Sequence, residues 1–321
     1  MRAVQLQSFG AADNFKVVDL PVPVPKDDEV LIQVQAAGVV FADTQMRRGD
    51  YVNLPRLPFT PGREVAGTIR AVGSNVTSIQ PGQRVMADMH TGGYAEFATA
   101  AVRDLVRLPE RASFLQGVVY LVNLRIAYLY YYTFGQVQPG DVLMVHAAAG
   151  GIGTLVTQIA KRRGSNVVIA LASSDEKLAH CRAAGADYAI NIRSADYVTE
   201  VLRITGGRGV DVSMNSVAGP TLQTDPAAIR PRGRWLINGY AGGRALLDPN
   251  AIMHKSLTLS VFSVYTVRRD EEFTKATAFL DEWLRTEPLE SCTRTFPLEA
   301  AEEAHRWIEG RHSHGKIALV P

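Results

Sequence analysis

The sequence predicts an α/β chain in which a β-rich N-terminal region precedes a doubly wound parallel sheet. Three observations predict it. At about 150 residues per domain, the 321 residues suit two domains. Up to about residue 115 the chain reads as short β-prone runs broken by Gly, Pro and Asn; from about residue 140 strand-like and helix-like segments alternate. After that change stands a glycine-rich turn, HAAAGGIG (146–153), between an apolar run and an amphipathic stretch.

In the first region VLIQVQAAGV (30–39) reads as a strand, entered through Pro21, Pro23 and Pro25 in extended form. EVAGTIRAVG (64–73), Gln83–Ala87 and Tyr94–Thr99 are further short strands. PGR (61–63), GSN (73–75) and PGQ (81–83) mark turns. This spacing predicts a compact, barrel-like antiparallel region. In the second region DVLMVH (141–146) is a buried strand. Ile152, Leu155, Val156 and Ile159 then recur at i, i+3, i+4 and i+7, a helix ending near Arg163 with Gly164 as its stop. NVVIAL (166–171) is the next strand and SSDEKLAHCRAAG (173–185) the next helix. YAIN (188–191), VDVSMN (210–215) and RWLIN (234–238) continue the alternation, which implies βαβ units with right-handed crossovers. SLTLSVFSV (256–264) is a later strand, FTKATAFLDEWLRT a helix from Phe273, and GKIALVP closes a mixed tail.

Lys plus Arg is 34 and Asp plus Glu is 32, a net charge of +2 that gives no support to nucleic-acid binding. Cys181 and Cys292 are too few for a disulfide framework or a four-cysteine zinc site. MRAVQLQSFG has no signal-like apolar run, and no segment holds about 18 uninterrupted apolar residues, so a cytoplasmic protein is expected.

Against the G-x-G-x-x-G fingerprint the turn reads Ala148-x-Gly150-x-x-Gly153, with alanine in the first place. Gly150 allows close approach of a pyrophosphate, and Gly153 allows the helix to pack on the strand. The N-terminus at Gly151 and Ile152 offers free N–H groups and a partial positive charge. The alternative is a tight turn without ligand. NAD sites place a carboxylate at the end of the second strand. Here that end reads Leu171-Ala172-Ser173-Ser174, with Lys177 one helical turn on and Arg193 after the third strand. Hydroxyls and cations suit a 2′-phosphate, so NADPH is expected; a solvated Lys177 with Asp175 as its cap is the other reading.

The sequence resembles the zinc-free quinone oxidoreductase (zeta-crystallin-like) branch of the medium-chain dehydrogenase/reductase superfamily over essentially its whole length. AAGVVFADTQMRRGDY (36–51), PGREVAGTIRAVGSNV (61–76), GGYAEFATA (92–100), QPGDVLMVHAAAGGIG (138–153) and GGRGVDVSMNSVAG (206–219) carry the resemblance. It implies a GroES-like catalytic domain (1–120, completed by 265–321) and a Rossmann NADPH domain (121–264), with the cofactor between them, and a homodimer. Zinc alcohol dehydrogenases of the superfamily have a Cys ligand where this chain has Val40 and a His ligand where it has Arg63, and neither side chain here suits zinc. Without a Lewis acid the expected acceptor is already electron-poor: a quinone, or an alkene conjugated to a carbonyl. Two departures from the branch, Val40 for Asn and Ile126 for Thr, make the expected site more apolar.

Enoyl reductases related to this branch have a tyrosine in a G-x-Y segment, here Gly49-Asp50-Tyr51. Tyr51 is therefore the candidate proton donor, or else only a wall of the site. Asp43 reads as a residue that orients backbone or an arginine, with catalysis the lesser alternative, and His146 as a packed histidine. Asn215 and Asn238, at strand C-terminal ends, are candidates for ribose or carboxamide contacts. Phe262 and Ser263 are candidates for the nicotinamide pocket, with a core role for Phe262 equally open. The tyrosines 128, 130, 131 and 132 read as helix packing. Three functions follow: an NADPH-dependent quinone reductase, an NADPH-dependent enoyl or enone reductase, and a catalytically idle nucleotide-binding protein.

Overall fold

A computed structural model describes all residues except Ser165, Ala245, Arg269 and Ser291. The chain divides into two compact units, Met1–Val122 with Leu280–Pro321, and Asn123–Phe279.

The first unit is built on a sheet of seven strands. Arg294–Pro297, Ile317–Val320, Glu29–Val39, Glu64–Val72, Arg84–Asp88 and Leu105–Arg107 follow one another across it, and Phe97–Ala101 also pairs with Glu29–Val39. Glu29–Val39 serves three neighbours because it is 11 residues long: its start pairs with Phe97–Ala101, its end with Ile317–Val320, and most of its length with Glu64–Val72. Every pairing is antiparallel except Arg294–Pro297 with Ile317–Val320. The predicted antiparallel region thus exists, and the tail contributes two of its strands. Val30, Ile32 and Val34 alternate onto one face, as strand geometry requires, and pack with Ile69, Val85, Tyr94 and Phe296. A separate hairpin joins Arg2–Leu6 to Phe15–Asp19. The strand predicted over Tyr94–Thr99 begins only at Phe97, and Tyr94 lies in the loop before it, where its N–H donates to the Pro61 carbonyl at 2.9 Å. The helix Phe41–Arg48 has no counterpart among the predicted elements.

The second unit is a six-stranded parallel sheet in the order Tyr188–Asn191, Val167–Ala172, Val142–Val145, Val210–Asn215, Ile229–Ile237, Thr258–Val261. Strand order reverses at Val142–Val145, which has Val167–Ala172 on one side and Val210–Asn215 on the other. Open α/β sheets bind ligands at such a reversal, beyond the strand C-termini, and the glycine-rich turn leaves the sheet there. The predicted strand over 256–264 shortens to Thr258–Val261. The unit extends past the expected boundary at residue 264, to Phe279. The physical reason is aromatic packing: Phe279 lies 5.3 Å from Tyr128 and 5.7 Å from Tyr132, and the Arg125 guanidinium covers Phe273 at 4.7 Å. Tyr128 and Tyr132 thus serve in packing, as read from the sequence.

Candidate functional site

In the second unit the strand Val142–Val145 passes through His146 into the turn and then the helix Gly151–Ile159. The turn is stitched to both neighbouring strands: His146 N–H donates to the Met214 carbonyl at 3.0 Å and Ala148 N–H to the Leu171 carbonyl at 3.1 Å. Gly150 N–H closes it on the Ala147 carbonyl at 2.8 Å. Ala147, not Ala148, takes the left-handed conformation, with φ +47°. The tight turn of the fingerprint's first glycine is therefore made one residue earlier, by an alanine that carries a strain of about 1 kcal/mol.

Gly150 caps the helix with extended backbone, and a Cβ there would meet only the Ala147 carbonyl oxygen, at 3.2 Å. Gly153 has no such room: its Cβ would lie 2.6 Å from Ala148 Cα and 2.7 Å from the Ala147 oxygen. At Gly151 a Cβ would sit 2.4 Å from Asn123 Nδ2. Asn123 is a neighbour that sequence reasoning missed, because nothing local to it signals the turn. Ile152 is half-buried in the first turn. The amides of that turn have no intrahelical acceptors, so the residues present fit a nucleotide diphosphate seated on the helix N-terminus.

At the end of the second strand Ser173 is half-buried, and Ser174 Oγ caps the helix Asp175–Ala183 by accepting from Lys177 N–H at 3.4 Å. The cap is thus Ser174, not Asp175. Asp175 instead accepts from Asn191 Nδ2 at 3.1 Å. Lys177 is half-buried and Arg193 exposed, its N–H donating to Asn191 Oδ1 at 3.1 Å.

Asn215 is 0% exposed and fully engaged. Its Nδ2 donates to Thr221 Oγ1 at 2.8 Å and Asp225 Oδ2 at 2.9 Å, and its Oδ1 accepts from the Val217 and Ala218 amides. That leaves no polar atom of Asn215 for the ribose or carboxamide contact expected of it; it holds the turn after its strand. Asn238 Nδ2 donates to the Phe262 carbonyl at 2.7 Å. Phe262 is a buried core aromatic, stacked on Phe134 at 4.2 Å and edge-on to Tyr130 at 5.0 Å, and Ser263 beside it is exposed.

His146 is the packed histidine expected. It contacts Asp225, which is 0% exposed and is the shared acceptor of a buried polar cluster. Tyr197 Oη, Ser213 Oγ, Asn215 Nδ2 and Trp235 Nε1 all donate to Asp225. Burial alone would raise the Asp225 carboxyl's pKa, but His146 and these donors outweigh burial and hold it below its ordinary value.

In the first unit the helix Phe41–Arg48 starts at Val40, whose N–H donates to Asp43 Oδ2 at 3.0 Å. Asp43 thus orients backbone, as one reading had it. It is buried and also accepts from Tyr94 Oη at 3.1 Å. Tyr94 Oη lies 3.1 Å from His305 Nε2. With the phenol proton given to Asp43, His305 donates to the Tyr94 oxygen through its Nε2–H tautomer. Burial pushes the Asp43 carboxyl up to about 6, against the pull of Val40 N–H and Arg63. Burial pushes His305 down to about 3, helped by Arg47. Both cysteines are pushed up to about 11 by burial, so they are ordinary thiols.

Arg63, one of the two positions compared with zinc ligands, is 3% exposed, and its Cζ lies 5.2 Å from the centroid of the Tyr51 ring. Tyr51 is half-buried against Leu6, Met46 and Phe59. Next to Arg63, Glu64 pairs with Lys316 at 2.6 Å, both buried. Gly38 makes room for that pair, since a Cβ there would lie 2.8 Å from Glu64 Oε2 and 2.9 Å from Lys316 Cε. The sequence signalled Arg63 only as a non-ligand and Lys316 not at all.

Two family models match the chain: "Alcohol dehydrogenase GroES-like domain" over 26–110 and "Zinc-binding dehydrogenase" over 151–282. Human quinone oxidoreductase is 33% identical over 324 aligned residues, covering 100% of this chain and 98% of the relative. The Escherichia coli quinone oxidoreductase complexed with NADPH superposes with a TM-score of 0.94 at 27% identity, over 100% of both chains. A mycobacterial protein complexed with NADPH gives 0.92 at 31% identity, again over 100% of both.

Proposed function

Because this chain belongs to the quinone oxidoreductase branch of the medium-chain dehydrogenase/reductase superfamily, we propose that it is an NADPH-dependent oxidoreductase that reduces a quinone without zinc. The observation that carries the cofactor is the turn at 147–153. An open approach at Gly150 and a backbone-tight Gly153 bring a helix N-terminus to the sheet's reversal point. Bound NADPH supplies the hydride. The chain's own part is to seat the diphosphate on the amides of Gly151, Ile152 and Gly153 and to meet the 2′-phosphate with Ser173, Ser174, Lys177 and Arg193. The donor set does not fit zinc. Val40 has no donor atom and Arg63 is a buried cation, and among the described residues no group of three His, Cys, Asp or Glu is placed to hold a metal ion. No step is therefore routed through a metal, and an electron-poor acceptor suits the site.

A second reading, reduction of an enone or enoyl thioester, is favoured by Tyr51. Its phenol, backed by a buried guanidinium, suits proton delivery to the carbon that does not receive hydride. NADPH oxidation with 1,4-benzoquinone, 9,10-phenanthrenequinone, an alkenal and crotonyl thioester tests both. Quinone turnover that survives Tyr51→Phe supports the first reading, and alkene turnover lost in that variant supports the second. NADPH binding without turnover on any of the four overturns both and leaves an idle binding protein. We further read the protein as a cytoplasmic homodimer. The open sheet edge at Thr258–Val261, where Val261 is 65% exposed, favours pairing, and a monomer mass by light scattering would remove it.

A further inference from the structure

We propose that Arg63 is the positioning residue for Tyr51: a buried guanidinium that seats the phenol ring for proton delivery to a conjugated alkene. This deepens the second reading above and rests on it. Tyr51 belongs to a stretch with no helix or strand, between the helix Phe41–Arg48 and the residues around Phe59. No backbone ladder sets the direction of its ring, so side-chain contacts must. On the apolar side these are Leu6, Met46 and Phe59. A polar contact is Arg63, with Cζ 5.2 Å from the ring centroid, inside the range of a cation–π interaction.

Arg63 is suited to this because it is itself held. Its carbonyl accepts from Met89 N–H at 2.7 Å. The preceding Gly62 has φ +95°, and a Cβ there would meet the Tyr94 ring at 2.4 Å, so the chain can pass only at glycine. The charges around it set its direction. Glu64 and Lys316 satisfy each other at 2.6 Å. Buried carboxylates stand near it: Asp43, fixed by Val40 N–H and Tyr94 and drawn down by the Arg63 charge, and Asp88, beside the Met89 that bonds the Arg63 carbonyl. The guanidinium is thus a buried charge held from its backbone and set against the Tyr51 ring. Its proposed role is exercised through Tyr51. A planar guanidinium offers a ring a broader, more weakly hydrated face than an ammonium does, so Arg63→Lys is expected to loosen the contact while keeping the charge.

The test is a double-mutant cycle of Arg63→Lys and Tyr51→Phe, with crotonyl thioester and 1,4-benzoquinone as acceptors. Arg63→Lys keeps the buried charge, so it tests the planar contact without stranding Asp43. The expected result is a drop of about tenfold in kcat on the thioester, with quinone turnover and KM for NADPH within about twofold of the parent. In the Tyr51→Phe background the same change has no further effect. In the protein without cofactor, nitration of Tyr51 by tetranitromethane, read by peptide mass, becomes faster in Arg63→Lys as the ring is released. Three results overturn the proposal: equal losses on both acceptors, the same loss in the Tyr51→Phe background, or unchanged nitration. Failure of the underlying reading is distinct, because Tyr51→Phe alone then leaves thioester turnover unchanged.

Discussion

His146 Nε2 lies 2.8 Å from Asp225 Oδ1, inside the second unit and away from water. One residue further on, Ala147 enters the left-handed conformation that opens the nucleotide turn. The carboxylate thus holds the residue that follows the central strand at the point where the backbone becomes strained. Asp225→Ala removes the acceptor for five side chains at once. It is expected to destabilise the protein by about 3–5 kcal/mol in denaturant unfolding. A change below about 1 kcal/mol would show that the hub is not a support.

The glycines of the turn separate by what surrounds them. Gly153→Ala places a methyl group against backbone that cannot yield and is expected to cost about 1–3 kcal/mol in the protein without cofactor. Gly150→Ala meets one atom at 3.2 Å and is expected to leave that stability nearly unchanged while weakening NADPH binding. Thermal unfolding with and without NADPH checks both, and equal destabilisation by the two variants contradicts the assignment.

The end of the second strand is expected to read the 2′-phosphate. Lys177→Ala should narrow the preference for NADPH over NADH by about tenfold, the scale of one charge-assisted hydrogen bond. Titration of both nucleotides by fluorescence measures it. Equal affinities for the two in the parent protein would remove Lys177 and Arg193 from this role.

Asp43 gives stability a sign with pH. Its carboxyl titrates at about 6 in the folded chain against 3.8 ordinarily. A raised folded value means that its contribution is full below pH 4 and is lost as pH rises through about 6. Asp43→Asn carries no such charge. The stability of Asp43→Asn minus that of the parent should therefore increase between pH 4 and pH 7, by up to about 3 kcal/mol. His305, with its folded value pushed down to about 3, acts oppositely, losing its contribution as pH falls from about 6.5. It is present in both proteins and drops out of the difference. A flat difference across that range would mean that Asp43 is not buried as a carboxylate.

Much of this protein is written locally. The period of Ile152, Leu155, Val156 and Ile159, the apolar runs that became parallel strands, and the glycines at 150 and 153 each depend on neighbours a few residues away, so periodicity and turn chemistry display them. Finer local detail came only from the structure: Ser174 makes the cap that the alternative reading gave to Asp175, and Ala147 takes the left-handed conformation one residue before the fingerprint's first position. The helix Phe41–Arg48 stayed hidden, its buried face including Asp43, Thr44, Gln45 and Arg47, which carry no apolar period.

By itself the sequence determined the fold class, the place of the nucleotide turn and the kinds of residue around it. Only the tertiary structure decided which polar groups are already used. Asn215 is occupied by Asp225 and the turn amides, Glu64 by Lys316 across 252 positions, and Arg63 lies on Tyr51. The reason is physical. A buried polar group must find a partner wherever the packed chain supplies one, and separation along the sequence carries no trace of that choice.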